Sequence, residues 1–150
     1  MASAPFDLSG KVALVTGGNG GIGKGIALGL ARAGANIAVV ARNQDKSASA
    51  VAELEALGIQ AVSIRCDVTD VDDVDTAVAA CVERFGGLDI VVNNSGVNVR
   101  KLPHELDLAE WQTVIDVNLT GVFLMSKAAY PEMVKRGGGK VINIGSMMSI

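Results

Sequence analysis

The chain has 150 residues, enough for one domain with a real core and too few for two ordinary ones. Hydrophobic residues make up 49%, aromatic residues only 3%, and the formal net charge is −3, with no run of Lys and Arg, which argues against a nucleic-acid partner. No apolar stretch approaches the roughly 18 residues of a membrane span, which argues against a membrane partner.

The first apolar run, Val12-Ala13-Leu14-Val15, leads into Thr16 to Gly23, read TGGNGGIG, and then into an apolar-periodic segment. That order is strand, glycine-rich turn, helix. Glycine lets the backbone turn with positive φ and lets a bulky anion approach without a Cβ in the way. A following helix presents unpaired N–H groups and its positive dipole end to a phosphate. Two registers fit. Gly18, Gly20 and Gly23 match the general G-x-G-x-x-G dinucleotide fingerprint; Gly17, Gly21 and Gly23 match a T-G-x-x-x-G-x-G spacing. A glycine-rich connector with no ligand is the plain alternative for the stretch taken alone.

Ile26, Leu28, Leu30 and Ala31 place a small-residue helix over Gly23 to Ala33, ended by Gly34. Ile37 to Ala41 is the second strand, followed by Arg42-Asn43. Ala48, Val51, Ala52, Leu54 and Leu57 mark an amphipathic helix from Gln44 to Leu57, stopped at Gly58. Ala61 to Ile64 is the third strand and leads into Asp67-Val68-Thr69-Asp70. Thr69 or Asp70 caps a helix over Val71 to Phe85, closed by Gly86-Gly87. Leu88 to Val92 is the fourth strand, ending in Asn93-Asn94-Ser95-Gly96. A loop from Val97 to Glu105 carries Arg100, Lys101, Pro103 and His104. Leu106 to Arg136 reads as one long helix with Pro131 near its end, and Val141 to Ile144 as the fifth strand, ending at Gly145-Ser146.

The N-terminal MASAPFDLSG lacks the charged and apolar regions of a secretory signal. Cys66 and Cys81 are too few and too separated for a disulfide framework or a zinc site. A cytoplasmic protein with reduced thiols at buried or half-buried positions and no metal is the expectation.

Short β-branched strands without polar alternation, separated by helices, point to a parallel sheet covered on both faces. Right-handed crossovers then give an α/β, Rossmann-type doubly wound sheet in the order 3-2-1-4-5, with a crevice at the carboxyl ends of the strands. The polar clusters fall at those ends: Gly17 to Gly23, Arg42, Asp67, Asn93 to Gly96, and Ser146. Residues 1–150 therefore read as one dinucleotide-binding domain.

Arg42 stands roughly 20 residues past the glycine turn, where a ribose-selecting residue is expected. A carboxylate there would hold the 2′-hydroxyl of NAD(H), whereas a guanidinium pairs with a 2′-phosphate, so NADP(H) is preferred and NAD(H) remains open. Asp67 can accept from the adenine amino group or cap the next helix. Asn93 and Asn94 face either the crevice or neighbouring strands, since buried amides need partners. Asn118, among apolar neighbours in mid-helix, calls for a specific hydrogen-bonding job. Ser146 at the rim suits a hydroxyl that binds a substrate oxygen. Arg100 and Lys101 offer charge to a substrate carboxylate, or form a solvated loop, and His104 reads as an exposed loop residue before a general base.

Taken together, Thr16-Gly17…Gly21-Ile22-Gly23, Asp67-Val68, Asn93-Asn94-Ser95-Gly96, Asn118 and Ser146 resemble the short-chain dehydrogenase/reductase family over essentially the whole chain. The family commonly has Ala in place of Ser95. The resemblance implies that Gly17, Asn19, Gly20, Gly21, Ile22 and Gly23 face the pyrophosphate and nearby ribose. It puts Arg42 at the adenosine ribose, Asp67 and Val68 at adenine, and Asn94, Ser95 and Gly96 along the cofactor. Ser146 would orient the reacting oxygen, and Asn118 would help hold a water in the proton relay. The Gly145-Ser146-Met147-Met148-Ser149 ending is most similar to gluconate-type sugar-acid dehydrogenases. The long helix resembles the family's subunit-interface helix, which implies a homotetramer or a dimer.

One departure stands out. The family's acid/base is a Tyr with a Lys four positions on, shortly after the serine. Tyr130 is the sole tyrosine here, precedes Ser146, and has Val134 four positions on. The chain also closes on an apolar segment, Val141 to Ile150, with no following helix to cover it, and bare apolar edges invite aggregation. The expectation is the N-terminal portion of a longer single-domain oxidoreductase, truncated after the fifth strand and acting on an alcohol or carbonyl substrate of the sugar, sugar-acid or 3-oxoacyl class. The rival is a non-catalytic nucleotide-binding or interaction module.

Overall fold

Five apolar runs become five parallel strands in a computed structural model that describes residues 6–146: β1 (Val12–Thr16), β2 (Asn36–Ala41), β3 (Ala61–Arg65), β4 (Ile90–Asn93) and β5 (Lys140–Asn143). They form one sheet in the order β3-β2-β1-β4-β5, the doubly wound Rossmann-type order expected. Between them run α1 (Gly21–Arg32), α2 (Gln44–Glu55), α3 (Val71–Phe85), α4 (Leu108–Ile115) and α5 (Gly121–Lys135). Residues 147–150, which carry the end of the gluconate-type motif and of the apolar segment, lie outside the described residues.

Alternate strand residues feed two cores, which is why the strands show no polar alternation. Leu14, Val40 and Val91 pack with Val78, Cys81, Met125 and Ala129 of α3 and α5. Val15, Val39 and Val92 pack on the other face with Ala27 and Ala31 of α1 and with Leu54 of α2. Each of these side chains is at most 4% exposed. The outer strand β5 is exposed along its length, with Val141 and Ile142 at 44% and 42%.

Local signals explain the boundaries. The Asn43 side chain accepts from Lys46 N–H at the start of α2, and Asp70 does the same for Asp73 N–H at the start of α3. Gly86 ends α3 in the left-handed region at φ +78°. Several expected bounds shift. The first helix starts at Gly21 instead of Gly23, and the second stops at Glu55 short of Leu57. The fourth strand covers Ile90–Asn93 instead of Leu88 to Val92, and the fifth begins at Lys140.

The expected helix from Leu106 to Arg136 is the largest difference. It begins only at Leu108, because Asp107 caps it reciprocally with Glu110. Its middle, Asp116–Thr120, is a π turn in which Gly121 N–H reaches back to Asp116 O. No helix among the described residues is long and apolar enough to cross a membrane.

Candidate functional site

The parallel register brings Thr16, Ala41, Arg65, Asn93 and Asn143 to one edge of the sheet. An open cleft of ≈ 340 Å³ lies there, lined by the segments that leave β1, β2, β3 and β4 together with Val117 from the π turn. This is the crevice that strand order alone located.

The turn after β1 decides between the two glycine registers. Gly17 and Gly21 have φ of +64° and +50°, a region that L side chains rarely adopt. Gly23 has an ordinary φ but no room: a Cβ there would stand 2.3 Å from both Gly17 O and Asn94 Nδ2. Gly17, Gly21 and Gly23 are thus the glycines the backbone needs, as in the T-G-x-x-x-G-x-G spacing. Gly20 is the N-cap of α1, extended and without a capping side chain, and the first turn of α1 holds no acidic residue. That helix end keeps its positive character. Ile22, in the same turn, is 69% exposed. Gly17 and Asn19 line the cleft, and Gly20 to Gly23 carry the chain from it into α1.

Thr16 anchors the facing segment. Its Oγ1 accepts from Asn94 N–H and Ser95 N–H, both at 2.9 Å. Asn94 Nδ2 donates back to Thr16 O at 3.1 Å. Asn94, Ser95 and Gly96 are therefore held along one wall of the cleft. Asn93 takes the structural alternative: it is 3% exposed, and its Nδ2 donates to Asn143 Oδ1 and Ser126 Oγ at 2.9 and 3.2 Å.

Arg42, Lys46, Asp67 and Val68 form the other end of the cleft. Arg42 is 69% exposed in its side chain and stands 3.9 Å from Asp67 Oδ2, a loose pair. Asp67 does not cap α3, since Asp70 does. Instead Asp67 Oδ1 accepts from Thr69 N–H and Oγ1 at 3.0 and 2.8 Å. These bonds, with help from Arg42, hold its carboxyl below the ordinary value. Cys66 also borders the cleft, and burial, followed by the carboxylates of Asp73 and Asp67, pushes its thiol up to about 12. It stays protonated. Cys81 is likewise buried and pushed to about 12 by burial, so both thiols are inert core groups.

Asn118 has the specific job its position demanded. From the π turn its Oδ1 accepts from Val97 N–H at 2.8 Å and its Nδ2 donates to Val97 O at 2.9 Å. This two-point clamp holds the loop that continues the cleft wall. Asn118 itself does not line the cleft, nor does Ser146 among the described residues. Ser146 is exposed and follows β5, whose Asn143 is paired with Asn93 on the same rim.

Lys101 is withdrawn from the substrate-carboxylate expectation by its ion pair with Glu110, whose mutual hydrogen bond raises the Lys101 pKa and lowers that of Glu110. Arg100 remains exposed, and His104 lies in an exposed 3-10 turn, Pro103–Glu105. Among the described residues no His, Cys, Asp and Glu cluster could hold a metal. Two residues, Lys46 and Ser47, escaped sequence reasoning, and Thr16 stood in the glycine motif with no role of its own. Thr16 is a buried hydroxyl at a strand end, a detectable signal. Lys46 and Ser47 lie in the first turn of α2, and helix spacing alone does not say that Lys46 meets the cleft or that Ser47 is buried beneath it.

Comparison with known proteins agrees with this geometry. A 2-dehydro-3-deoxy-D-gluconate 5-dehydrogenase of Formosa agariphila is 44% identical over 145 residues, 96% of this chain and 55% of that protein. A 3-oxoacyl-[acyl-carrier-protein] reductase of Synechocystis is 40% identical over 141 residues, 93% of this chain and 57% of that protein. A solved short-chain type dehydrogenase/reductase of Mycobacterium marinum superposes with a TM-score of 0.91 at 44% identity, covering 95% of this chain and 58% of its own. The chain thus spans little more than half the length of the relatives it matches. The pattern of the short chain dehydrogenases runs through residues 11–150, and with the sheet order and the glycine turn in agreement, this chain belongs to the short-chain dehydrogenase family.

Proposed function

We propose that the cleft binds an NAD(P)(H) dinucleotide, NADP(H) in preference to NAD(H). We propose further that the protein is an oxidoreductase catalysing reversible hydride transfer between the nicotinamide and a small alcohol or carbonyl substrate. The supporting observation is the turn from Gly17 to Gly23, which takes positive φ at Gly17 and Gly21, leaves no room for a side chain at Gly23, and opens into a helix whose positive end has no capping side chain. The donors present fit such a ligand. Gly20, Gly21, Ile22 and Gly23 would hold the pyrophosphate through main-chain N–H groups, and Gly17, whose own N–H is bonded to Val40 O, would shape the turn beneath it. Asp67 and Val68 would flank the adenine, and Asn94, Ser95 and Gly96 would lie along the nicotinamide half. Arg42 and Lys46, the two cations on the cleft, would meet the 2′-phosphate.

Bound there, the dinucleotide supplies the hydride. This chain supplies placement. Ser146 would donate a hydrogen bond to the reacting oxygen from the rim beyond β5, and Asn118 would keep the adjoining loop fixed through Val97. The similarity to a gluconate-type dehydrogenase and to a 3-oxoacyl reductase supports a sugar-acid or oxoacyl substrate. Leu108, Trp111, Phe123 and Tyr130 on α4 and α5 are each more than half exposed, which supports burial against a second copy in a homodimer or homotetramer. The two unpaired cysteines suit the reducing cytoplasm.

Ser146→Ala in the full-length protein tests the catalytic part. The expected result is a kcat lowered by ~100-fold with dinucleotide affinity unchanged. Near wild-type turnover would remove Ser146 from the chemistry.

A further inference from the structure

The glycine turn and the corner after β2 are joined by side chains that the proposed chemistry leaves unused. Asn19, at the tip of the turn, donates both protons of its amide across the cleft floor, to Asn43 O and to Ser47 Oγ, each at 3.1 Å. Ser47 has no exposure to solvent, and its hydroxyl donates to the same Asn43 O at 2.8 Å. Asn43 in turn accepts from Lys46 N–H through its Oδ1 at 3.0 Å. Asn19, Asn43 and Ser47 therefore make a closed knot. The two cations of the cleft flank it: Arg42 immediately precedes Asn43, and Lys46 immediately precedes Ser47.

A second link, Gly17 N–H to Val40 O at 2.8 Å, fixes the base of the turn to β2. Among the described residues, the tip is tied to the corner after β2 by the Asn19 side chain. With both amide protons spent inside the protein, the Asn19 side chain has no N–H left for a phosphate. Its effect must be through position. Arg42 is mostly exposed, and an exposed cation contributes to an ion pair only when its base is held in place, because side-chain entropy opposes the pairing. The distance between a dinucleotide's pyrophosphate and its 2′-phosphate is set by the ligand, so the turn and the cation-bearing corner must keep a matching separation.

We infer that Asn19 is a positioning residue for cofactor discrimination: its tie to Asn43 and Ser47 sets where Arg42 and Lys46 stand relative to the phosphate-holding turn. The inference rests on the reading that the cleft takes NAD(P)(H) and deepens it. Asn19 acts on the 2′-phosphate contact without touching it.

NADPH and NADH are titrated, by the fluorescence of the reduced nicotinamide, into the wild-type protein and into Asn19→Ala, Arg42→Ala and the double variant. Asn19→Ala should weaken NADPH about fivefold, within the range for residues coupled through one network, while NADH changes far less. Adding Asn19→Ala to Arg42→Ala should change the NADPH to NADH ratio little further. Ser47→Ala, which removes the acceptor but keeps the helix, should move the ratio in the same direction even if Asn19→Ala folds poorly. Equal weakening of both dinucleotides by Asn19→Ala and Ser47→Ala would mean a merely structural tie and overturn the inference. Independent, multiplying effects of Asn19→Ala and Arg42→Ala would overturn it as well. A ratio untouched by Arg42→Ala would instead sink the reading of the corner, and the inference with it.

Discussion

The two ends of the sheet treat polar groups in opposite ways. Where the strands begin, Asp89 is 6% exposed just ahead of β4, and its carboxylate is surrounded by donors. Oδ2 accepts from Val12 N–H at 2.9 Å and from Arg136 Nη2 at 3.0 Å, Oδ1 accepts from Arg136 Nε at 3.3 Å, and Lys11 Nζ lies 3.6 Å away. Burial raises the Asp89 pKa, yet Arg136, the Val12 N–H and Lys11 outweigh it and hold the carboxyl below its ordinary value. Where the strands end, the charges stand apart. Arg42 is 3.9 Å from Asp67, and Lys46 makes no ion pair among the described residues. The contrast teaches how to read polar groups in this fold. A network whose donors and acceptors answer one another is scaffold, and an open set beside uncapped helix N–H groups is where a ligand completes the pairing.

The contrast is broken most severely at Gly23. Gly23→Ala drives a Cβ into Gly17 O and Asn94 Nδ2, and forcing that space open should cost ~3 kcal/mol of stability and abolish dinucleotide binding. Gly25 in the same helix meets nothing within 4 Å of an added Cβ, so Gly25→Ala should be neutral or slightly stabilising. Denaturant melts and NADPH titration of both variants measure the difference. A Gly23→Ala protein as stable and as tight-binding as wild type would refute the close approach.

Asp89→Asn strikes the opposite edge. Leaving Arg136 and the half-exposed Lys11 without their carboxylate should cost about 2 kcal/mol, with dinucleotide affinity unchanged in the folded protein. The pH dependence has a definite sign. Because the folded Asp89 pKa is depressed, its contribution is fully present above the unfolded value of about 3.9 and is lost as pH falls through the folded value. Urea melts should therefore show the gap between wild type and Asp89→Asn constant at neutral pH and closing below about pH 4. A gap that persisted in acid would mean that the carboxylate's charge is not what matters.

Most of the framework was legible because it rests on local chemistry. Gly34 and Gly86 stop helices where expected, each at positive φ. The two-faced burial of the strands is written in runs such as Val12 to Val15 and Ile37 to Ala41. The Asp107…Glu110 cap was readable too, since an acidic N-cap with Glu three positions on is a local signal, but the apolar pattern from Leu106 onward concealed it. The π turn was not legible. Apolar spacing passes through Asp116 to Thr120 unbroken, and one additional residue in a turn leaves no compositional mark. Asn118 could be singled out for needing partners, whereas its partner, Val97, is 21 residues away and set by the packing of β4 against the helix. The same holds for Asn19, whose bonds to Asn43 and Ser47 span 24 and 28 residues. Lys46 looked like any solvated helix residue until the sheet brought it beside Arg42 at the cleft.

The central claim is that the open rim reads a 2′-phosphorylated dinucleotide, and the NADPH to NADH affinity ratio of wild type and Arg42→Ala tests it most directly. The account predicts a wild-type preference for NADPH that falls about tenfold in the variant, the size of a charge-assisted hydrogen bond, while NADH affinity holds. A ratio that Arg42→Ala leaves unchanged, or a wild type that binds NADH more tightly, would contradict it.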